Sequence, residues 1–358
     1  MNSDFLIIGG GVAGLSTAQR LLQQGAAVTV LERGKVGQEA SWAGGGILSP
    51  LCPWNYPDVV TRLTARGADL FSAWTVELHA ATGINPEYET SGMLVLPPFD
   101  AQAAEQWSEA HSAYSVHQVR ATDHKLLTQG DALFLPEVAQ VRNPRLMRAL
   151  HQHVKSLGGK IIEQCAVSDI VVENGRVQTL TTSSGKFHAQ GYIVTAGAWS
   201  KEVLGINALR LNIKPMRGQM LLFKFDVPPL RHIVLQDDLY LIPRRDGHLL
   251  VGSTMEDVGF DQRTTSEARD MLWQRAQKIL PSLRDIPLVQ HWAGLRPASP
   301  HNIPTIGRHP KLDNLYINSG HFRYGVTMAP ASAEILLNEI AGVQHPFDVT
   351  PYRAGWGI

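Results

Sequence analysis

A chain of 358 residues exceeds what one hydrophobic core usually serves, so two domains or one elaborated α/β domain are expected. Apolar residues at 44% and charged ones at 18% describe a globular protein with a sizeable core, and a net charge of zero without a basic run excludes nucleic acid as the main partner. Two cysteines, Cys52 and Cys165, make neither a disulfide framework nor a metal pattern, no apolar run reaches the ~20 residues of a membrane span, and the N-terminus has no charged leader, so a cytoplasmic protein without metal is expected.

The chain opens on its most informative stretch. Residues 4–8 are a short apolar run that predicts a buried parallel strand. It enters Gly9-Gly10-Gly11-Val12-Ala13-Gly14, a G-x-G-x-x-G pattern at Gly9, Gly11 and Gly14. Residues 15–24 carry Leu15, Ala18, Leu21 and Leu22 at helical spacing and end at Gly25. Residues 27–31 predict a second strand, closed by Glu32, 18 residues after Gly14. Each part has a physical task. Gly9 permits the turn, Gly11 lets backbone approach a pyrophosphate, Gly14 lets helix and strand pack closely, and Glu32 can accept hydrogen bonds from a ribose. The helix N-terminus supplies free N–H groups and a positive dipole end to the phosphates. The whole unit predicts binding of an adenine dinucleotide.

After a polar loop at 33–38, the small residues at 39–48 suit backbone passing close to a large flat ligand, with Ser41 placed to cap a helix or bind phosphate. A helix is predicted at 61–82, a strand at 88–96, helices at 101–118 and 143–158, and strands at 160–166 and 168–172. An Asn174-Gly175 turn predicts a hairpin into 177–182. The strand at 187–194 leads into the small residues 195–200, a further close approach of backbone near a nucleotide. Strands follow at 219–225, 239–243 and 248–253, a helix at 266–279, a strand at 315–318 and a helix at 329–341 with Pro330 in its first turn. Nucleotide-binding strands thus come from the start, middle and end of the chain. The expected organisation is a discontinuous domain of 1–85, 146–215 and 291–358, with a sheet-rich substrate domain inserted at 86–145 and 216–290.

Taken together, these stretches resemble the flavin-dependent amine oxidases of the D-amino-acid oxidase family, most closely the branch that oxidises glycine. The residues carrying the resemblance span nearly the whole chain: the GGGVAG turn with Glu32, 41–47, 195–199, Tyr240-Leu241-Ile242-Pro243-Arg244 and Val251-Gly252-Ser253-Thr254-Met255. The most discriminating are His291-Trp292-Ala293-Gly294-Leu295-Arg296-Pro297 and Gly320-His321-Phe322-Arg323-Tyr324-Gly325.

The resemblance implies an α/β fold, a Rossmann-type FAD-binding domain with an inserted mixed-sheet α+β substrate domain. It implies FAD lined by Val12, Ala13, Glu32, Arg33, Ala40, Ser41, Gly45, Gly46, Ile47 and Val167. His321, Phe322, Arg323, Tyr324, Gly325, Val326 and Thr327 would wrap the flavin. Arg296 would pair with the substrate carboxylate, Tyr240 would make a second polar contact, and Met255 and Arg323 would complete the pocket. Each residue type also has a plainer use, as a structural ion pair, a cross-strand packing ring, core filler or a loop brace. For His321, a backbone-positioning role stands against that of general base. Covalently flavinylated members use a late cysteine and none follows Cys165 here, so the FAD is expected to be non-covalent.

The implied reaction is oxidative deamination of glycine and other small amines, sarcosine and D-alanine, to a 2-oxo acid (glyoxylate), ammonia or an amine, and H2O2. Its imine would serve thiazole synthesis in thiamine biosynthesis. The partners would be the amino acid and O2, with the oligomeric state left open. Alternatives are a D-amino-acid dehydrogenase or sarcosine-type oxidase with another electron acceptor, and a non-enzymatic flavin-binding partner protein. Two departures bear on substrate choice: Asp238 stands where a close relative carries histidine, and Ile47 where it carries methionine.

Overall fold

The computed structural model describes residues 3–357 apart from 112–114, 122–125 and 127–129. The strand Ser3–Ile8 enters a tight turn at Gly9, whose φ of 112° would strain any side chain. The helix Val12–Gln23 then folds back over the sheet and buries Leu15, Ala18 and Leu21. Val28–Leu31 returns parallel to the first strand, with Phe5 beside Val28 and Ile8 beside Leu31.

Around this unit stands a six-stranded sheet in the order Thr305–Arg308, Leu315–Ser319, Ala189–Val194, Ser3–Ile8, Val28–Leu31, Lys160–Ile162. Every pair is parallel except the outermost, Thr305–Arg308 with Leu315–Ser319. Strand order reverses at Ser3–Ile8, so a crevice opens beyond the carboxyl ends of the strands, where ligands of such sheets bind. Four helices cover one face: Val12–Gln23, Asp58–Thr82, Asn143–Ser156 and Gly325–Ala341. Their Leu15, Leu63, Phe71, Leu150 and Leu336 share one core. A three-stranded antiparallel sheet, Val167–Glu173, Arg176–Thr182 and Gly185–Phe187, covers the other face through Ile170, Val177 and Leu180.

A second sheet runs Leu288–Ala298, Lys214–Lys224, His248–Gly252, Leu239–Pro243, Ile233–Gln236, Met93–Leu96, Gly130–Leu135, His117–Ala121. It is antiparallel but for Ile233–Gln236 beside Met93–Leu96, hence a mixed sheet. Side-chain alternation sorts its faces. Leu239 and Leu241 join the core under the helix Ser266–Ile279, whereas Tyr240 and Ile242 turn to the opposite face with Met220. That opposite face looks onto the crevice.

Several expected elements are redrawn. The helix expected at 101–118 ends at Ala110, where His111 Nδ1 meets Trp107 O at 2.8 Å. Residues 112–114 of that expectation lie outside the described residues, and His117–Ala121 is instead an edge strand paired to Gly130–Leu135. The strand expected at 88–96 breaks at Gly92 (φ 66°) into Glu89–Thr90 and Met93–Leu96. The closing helix starts at Gly325 rather than 329, so Pro330 is an interior residue. The neighbouring Met328, Ala329 and Ala331 are fully buried, and that packing offsets the backbone bond which proline removes. The expected domain boundaries at 146, 216 and 291 fall within Asn143–Ser156, Lys214–Lys224 and Leu288–Ala298. The hairpin at Asn174-Gly175 forms as expected, with φ of 49° and 72°.

Candidate active site

The crevice holds a continuous cavity of about 400 Å³. One end is built by the first βαβ unit. Glu32, 6% exposed, accepts Gly10 N–H at 2.7 Å on Oε2 and Gly34 N–H at 2.8 Å on Oε1. Each oxygen keeps a lone pair for a hydroxyl. Gly9, Gly11, Val12, Ala13, Arg33 and Val167 line this end, beside Cys165 and Trp199. The Arg33 guanidinium lies 3.4 Å over the Trp199 ring and also pairs with Glu39 at 2.8 Å. Gly14 is not in the wall. It works one layer behind, where a Cβ would meet Gly9 O at 2.0 Å. Ser41 takes the capping role, but for the first helix: its Oγ accepts Val12 N–H at 2.9 Å.

The middle of the cavity is walled by Ala40, Ser41, Gly45, Gly46 and Ile47. The second sheet holds this stretch in place. Arg244, buried, donates to Gly45 O at 2.7 Å and Gln140 Oε1 at 2.7 Å, and Trp292 Nε1 donates to Ala43 O at 3.0 Å. Burial lowers the Arg244 guanidinium to about 10, which leaves it a cation at neutral pH. From the far side, His321, Phe322, Arg323, Tyr324, Gly325, Val326 and Thr327 complete the wall, and the 17-residue helix Gly325–Ala341 directs its N-terminus at the cavity. Tyr324, its N-cap residue, supplies no side-chain bond to that terminus.

Arg296, Tyr240 and Arg323 converge at this end. Arg296 Nη1 donates to Thr254 O at 3.1 Å and Nη2 to Ser253 Oγ at 2.6 Å. Both acceptors are neutral, so its charge and part of its donor set remain for a ligand. Burial is the main force lowering its pKa, and the neighbouring Arg323 acts the same way. The Tyr240 hydroxyl lies 3.9 Å from Met220 Sδ and also interacts with the Arg296 guanidinium, where it favours the cation. Arg323 Nη2 rests 3.1 Å from Met255 Sδ. Met255 itself is outside the cavity wall and 51% exposed. The strand ends at Gly252, and Met255 lies on the segment that turns out of the sheet. His321 is 3% exposed, its Nε2 has no partner, and burial drops its pKa to about 4, so it is neutral at physiological pH.

The sequence reading left several lining residues unassigned. Gly218 is one: a Cβ there would sit 2.0 Å from Arg296 Nη1, and a glycine within a strand pattern is the signal for such an approach. Ser253, Asn143 and Asn318 are others, and nothing local marks them. Asp238 also lines the cavity, with Oδ1 taken by Arg275 at 2.6 Å. Among the described residues no group of three or more His, Cys, Asp or Glu is placed for a metal, and no helix is long and apolar enough to cross a membrane.

The cavity fits a flavin dinucleotide. Its buried lining carries polar atoms without a partner, among them His321 Nε2, Asn318 Oδ1 and Asn143 Oδ1, which a polar ligand would satisfy. It joins a buried carboxylate and one helix N-terminus to a second helix N-terminus and a guanidinium with no carboxylate bonded to it. A doubly wound sheet and a mixed sheet enclosing such a site define a flavoprotein oxidoreductase of a small anionic substrate. Residues 4–338 match the family described as FAD dependent oxidoreductase, and the chain belongs to that family and takes FAD as its cofactor. It is 40% identical to a glycine oxidase of Pseudomonas aeruginosa over 98% of both chains. It is 33% identical to the bifunctional protein ThiO/ThiG of Nostoc over 95% of this chain and 53% of that protein. Its structure resembles that of glycine oxidase from Geobacillus kaustophilus, with a TM-score of 0.91 at 25% identity over 98% of both chains.

Proposed function

We propose that the chain catalyses oxidative deamination of glycine and other small amines, with sarcosine and D-alanine among them, and that O2 is the electron acceptor. The observation that carries this reading is Arg296, a guanidinium aimed into the cavity with only neutral oxygens as partners. A cation partly withdrawn from water is costly unless an anion completes it, and a substrate carboxylate is the matching fork. Tyr240 would add a hydrogen bond to that carboxylate, and Arg323 with Met255 would stand at the outer wall. Held by these residues, FAD would supply two-electron oxidation of the substrate Cα–N bond, with the electrons leaving to O2 as H2O2; water would convert the imine to the 2-oxo acid and ammonia or an amine.

The protein's share is placement and electrostatics. Two guanidiniums near the substrate disfavour an ammonium and favour the neutral amine that can lose hydride. His321, held neutral by burial, would position the flavin wall rather than carry charge. Gly9, Gly11, Gly14, Val12, Ala13, Glu32 and Ser41 would hold the adenosine diphosphate part. Residues 321–327 would hold the isoalloxazine, where the helix dipole stabilises negative charge on the reduced ring. Two domains follow the two sheets, with their seams at the ends of the strands Lys214–Lys224 and Leu288–Ala298 rather than within them. The imine product suits the supply of a thiazole precursor in thiamine synthesis.

The test is a panel of glycine, sarcosine, D-alanine, D-leucine and D-phenylalanine under air, read by peroxide release and by reduction of the flavin without air. Glycine and sarcosine should lead in kcat/KM. A lead for D-leucine or D-phenylalanine would overturn the small-substrate reading. Flavin reduction without peroxide release would point to another acceptor.

A further inference from the structure

The two acceptors that hold Arg296, Thr254 O and Ser253 Oγ, are neighbours on the segment just beyond the strand His248–Gly252. That segment is fastened to the strand Lys214–Lys224. Arg217 and Glu256 exchange both backbone bonds at 2.9 Å, and Thr254 N–H reaches Gln219 O at 3.3 Å. The side chains converge on one carboxylate. Glu256 Oε2 accepts from Arg217 Nε at 3.1 Å and Nη2 at 2.5 Å; Oε1 accepts from Gln219 Nε2 at 2.9 Å and from the Thr254 hydroxyl. The Thr254 Oγ1 in turn accepts Gln219 N–H at 2.9 Å. Arg217 is only 4% exposed and the Glu256 side chain 24%, so the assembly is anchored in the interior and reaches towards the surface at Glu256.

Strand alternation makes the assembly bear on the clamp. Arg217 and Gln219 grip Glu256 from one face of their strand, and Gly218 between them faces Arg296 on the other. We propose that Glu256 is a positioning residue for the carboxylate clamp, fixing Arg296 through Thr254 from the side away from the substrate. The inference rests on Arg296 binding the carboxylate. Glu256 has the means to hold station: burial pushes its carboxyl up, but hydrogen bonds from Thr254, Arg217 and Gln219 outweigh this and keep it ionised. Its charge also favours the guanidinium cation of Arg296. A bidentate pair is sensitive to small displacements, so slack in this support should appear as weaker binding of the carboxylate.

The experiment compares FAD-loaded wild type with Glu256→Gln, Thr254→Val and Arg296→Lys. Three readouts are needed: the Kd of acetate from the flavin absorbance, the KM and kcat for glycine, and FAD content with Tm. Glu256→Gln should raise the acetate Kd and the glycine KM roughly tenfold at full FAD loading, with kcat within about twofold. Thr254→Val keeps the Arg217–Glu256 pair and should give a smaller rise in the same two quantities; it carries the test if Glu256→Gln does not fold. An unchanged acetate Kd in the folded variants, or losses confined to Tm and FAD content, would make Glu256 merely structural. If Arg296→Lys also leaves the acetate Kd unchanged, the failure lies instead in the reading of Arg296.

Discussion

At the scale of the residue, the site depends on what is missing at Gly218 as much as on what is present at Arg296. A Cβ 2.0 Å from Nη1 must displace the guanidinium or the strand. Gly218→Ala therefore should cost about 1–3 kcal/mol, the usual range for overpacking, and should appear mainly as a higher KM for glycine. A glycine KM within twofold of wild type would show that Arg296 has slack. His321 gives a second residue-level expectation. Its pKa is depressed from 6.5 to about 4 by burial, so the folded state resists the proton that the unfolded chain accepts. The stability this provides is complete above pH 6.5 and is lost as pH falls towards 4, at about 1.4 kcal/mol per unit. His291 and His309, also lowered by burial, act in the same direction. Tm should fall between pH 7 and pH 5, and fall less in His321→Asn. Equal slopes for the two proteins would remove His321 from the account.

At the scale of the element, the contact between Asp58–Thr82 and Gly325–Ala341 sets where the closing helix aims. Gly67 lies inside the first of these helices, and a Cβ there would meet Thr327 O at 2.0 Å. Two effects compete in Gly67→Ala. Helix propensity favours alanine by about 1 kcal/mol, whereas forcing two backbones apart costs about 1–3 kcal/mol or more. The clash should win, because the obstacle is backbone, and Thr327 lines the cavity, so FAD affinity should fall along with Tm. A rise in Tm would mean that propensity decides. The elements also divide by how readable they are. The first βαβ unit was legible because its signals are contiguous: an apolar run, three spaced glycines and a closing acid. The helix Ser266–Ile279 was read with its full bounds, and the structure adds the cap, Thr265 Oγ1 accepting Ala268 N–H. Strands such as Ile233–Gln236 and Gly130–Leu135 were not, since four to six residues carry little period and their partners lie far off in sequence. The same holds within the site. Arg296 and Glu32 sit in distinctive motifs, whereas Ser253, Asn143 and Asn318 reach the cavity through tertiary placement alone. Met255 was expected in the pocket from the family resemblance, yet it stands outside the cavity wall, on the segment that leaves the sheet after Gly252.

At the scale of the whole molecule, one cavity is assembled from the first sheet, the second sheet and the closing helix, and none of these alone encloses it. Attachment of the cofactor should follow that geometry. Of the two cysteines, Cys165 lines the Glu32 end of the cavity, its N–H bonding Glu32 O at 2.8 Å, and Cys52 is outside the wall, its thiol pushed up to about 11 by burial. Denaturation in mild acid should therefore release intact FAD into the supernatant; colour retained in the precipitate would contradict this.

The wiring of the cavity also bears on how the protein is made. The glycine turn and its helix are complete once Leu31 has been added, but the closing helix begins only at Gly325, 294 residues later. At roughly 5–20 residues per second, that interval is about 15–60 s of synthesis. For most of it, the nascent chain carries the glycine turn with no opposite wall and a parallel sheet lacking the strand Leu315–Ser319. Enclosing the flavin on both sides therefore requires the chain to be made past Gly325. Flavin supply in the expressing cell should decide how much of the chain reaches a soluble state, and adding riboflavin to the medium should raise that fraction without changing transcript level.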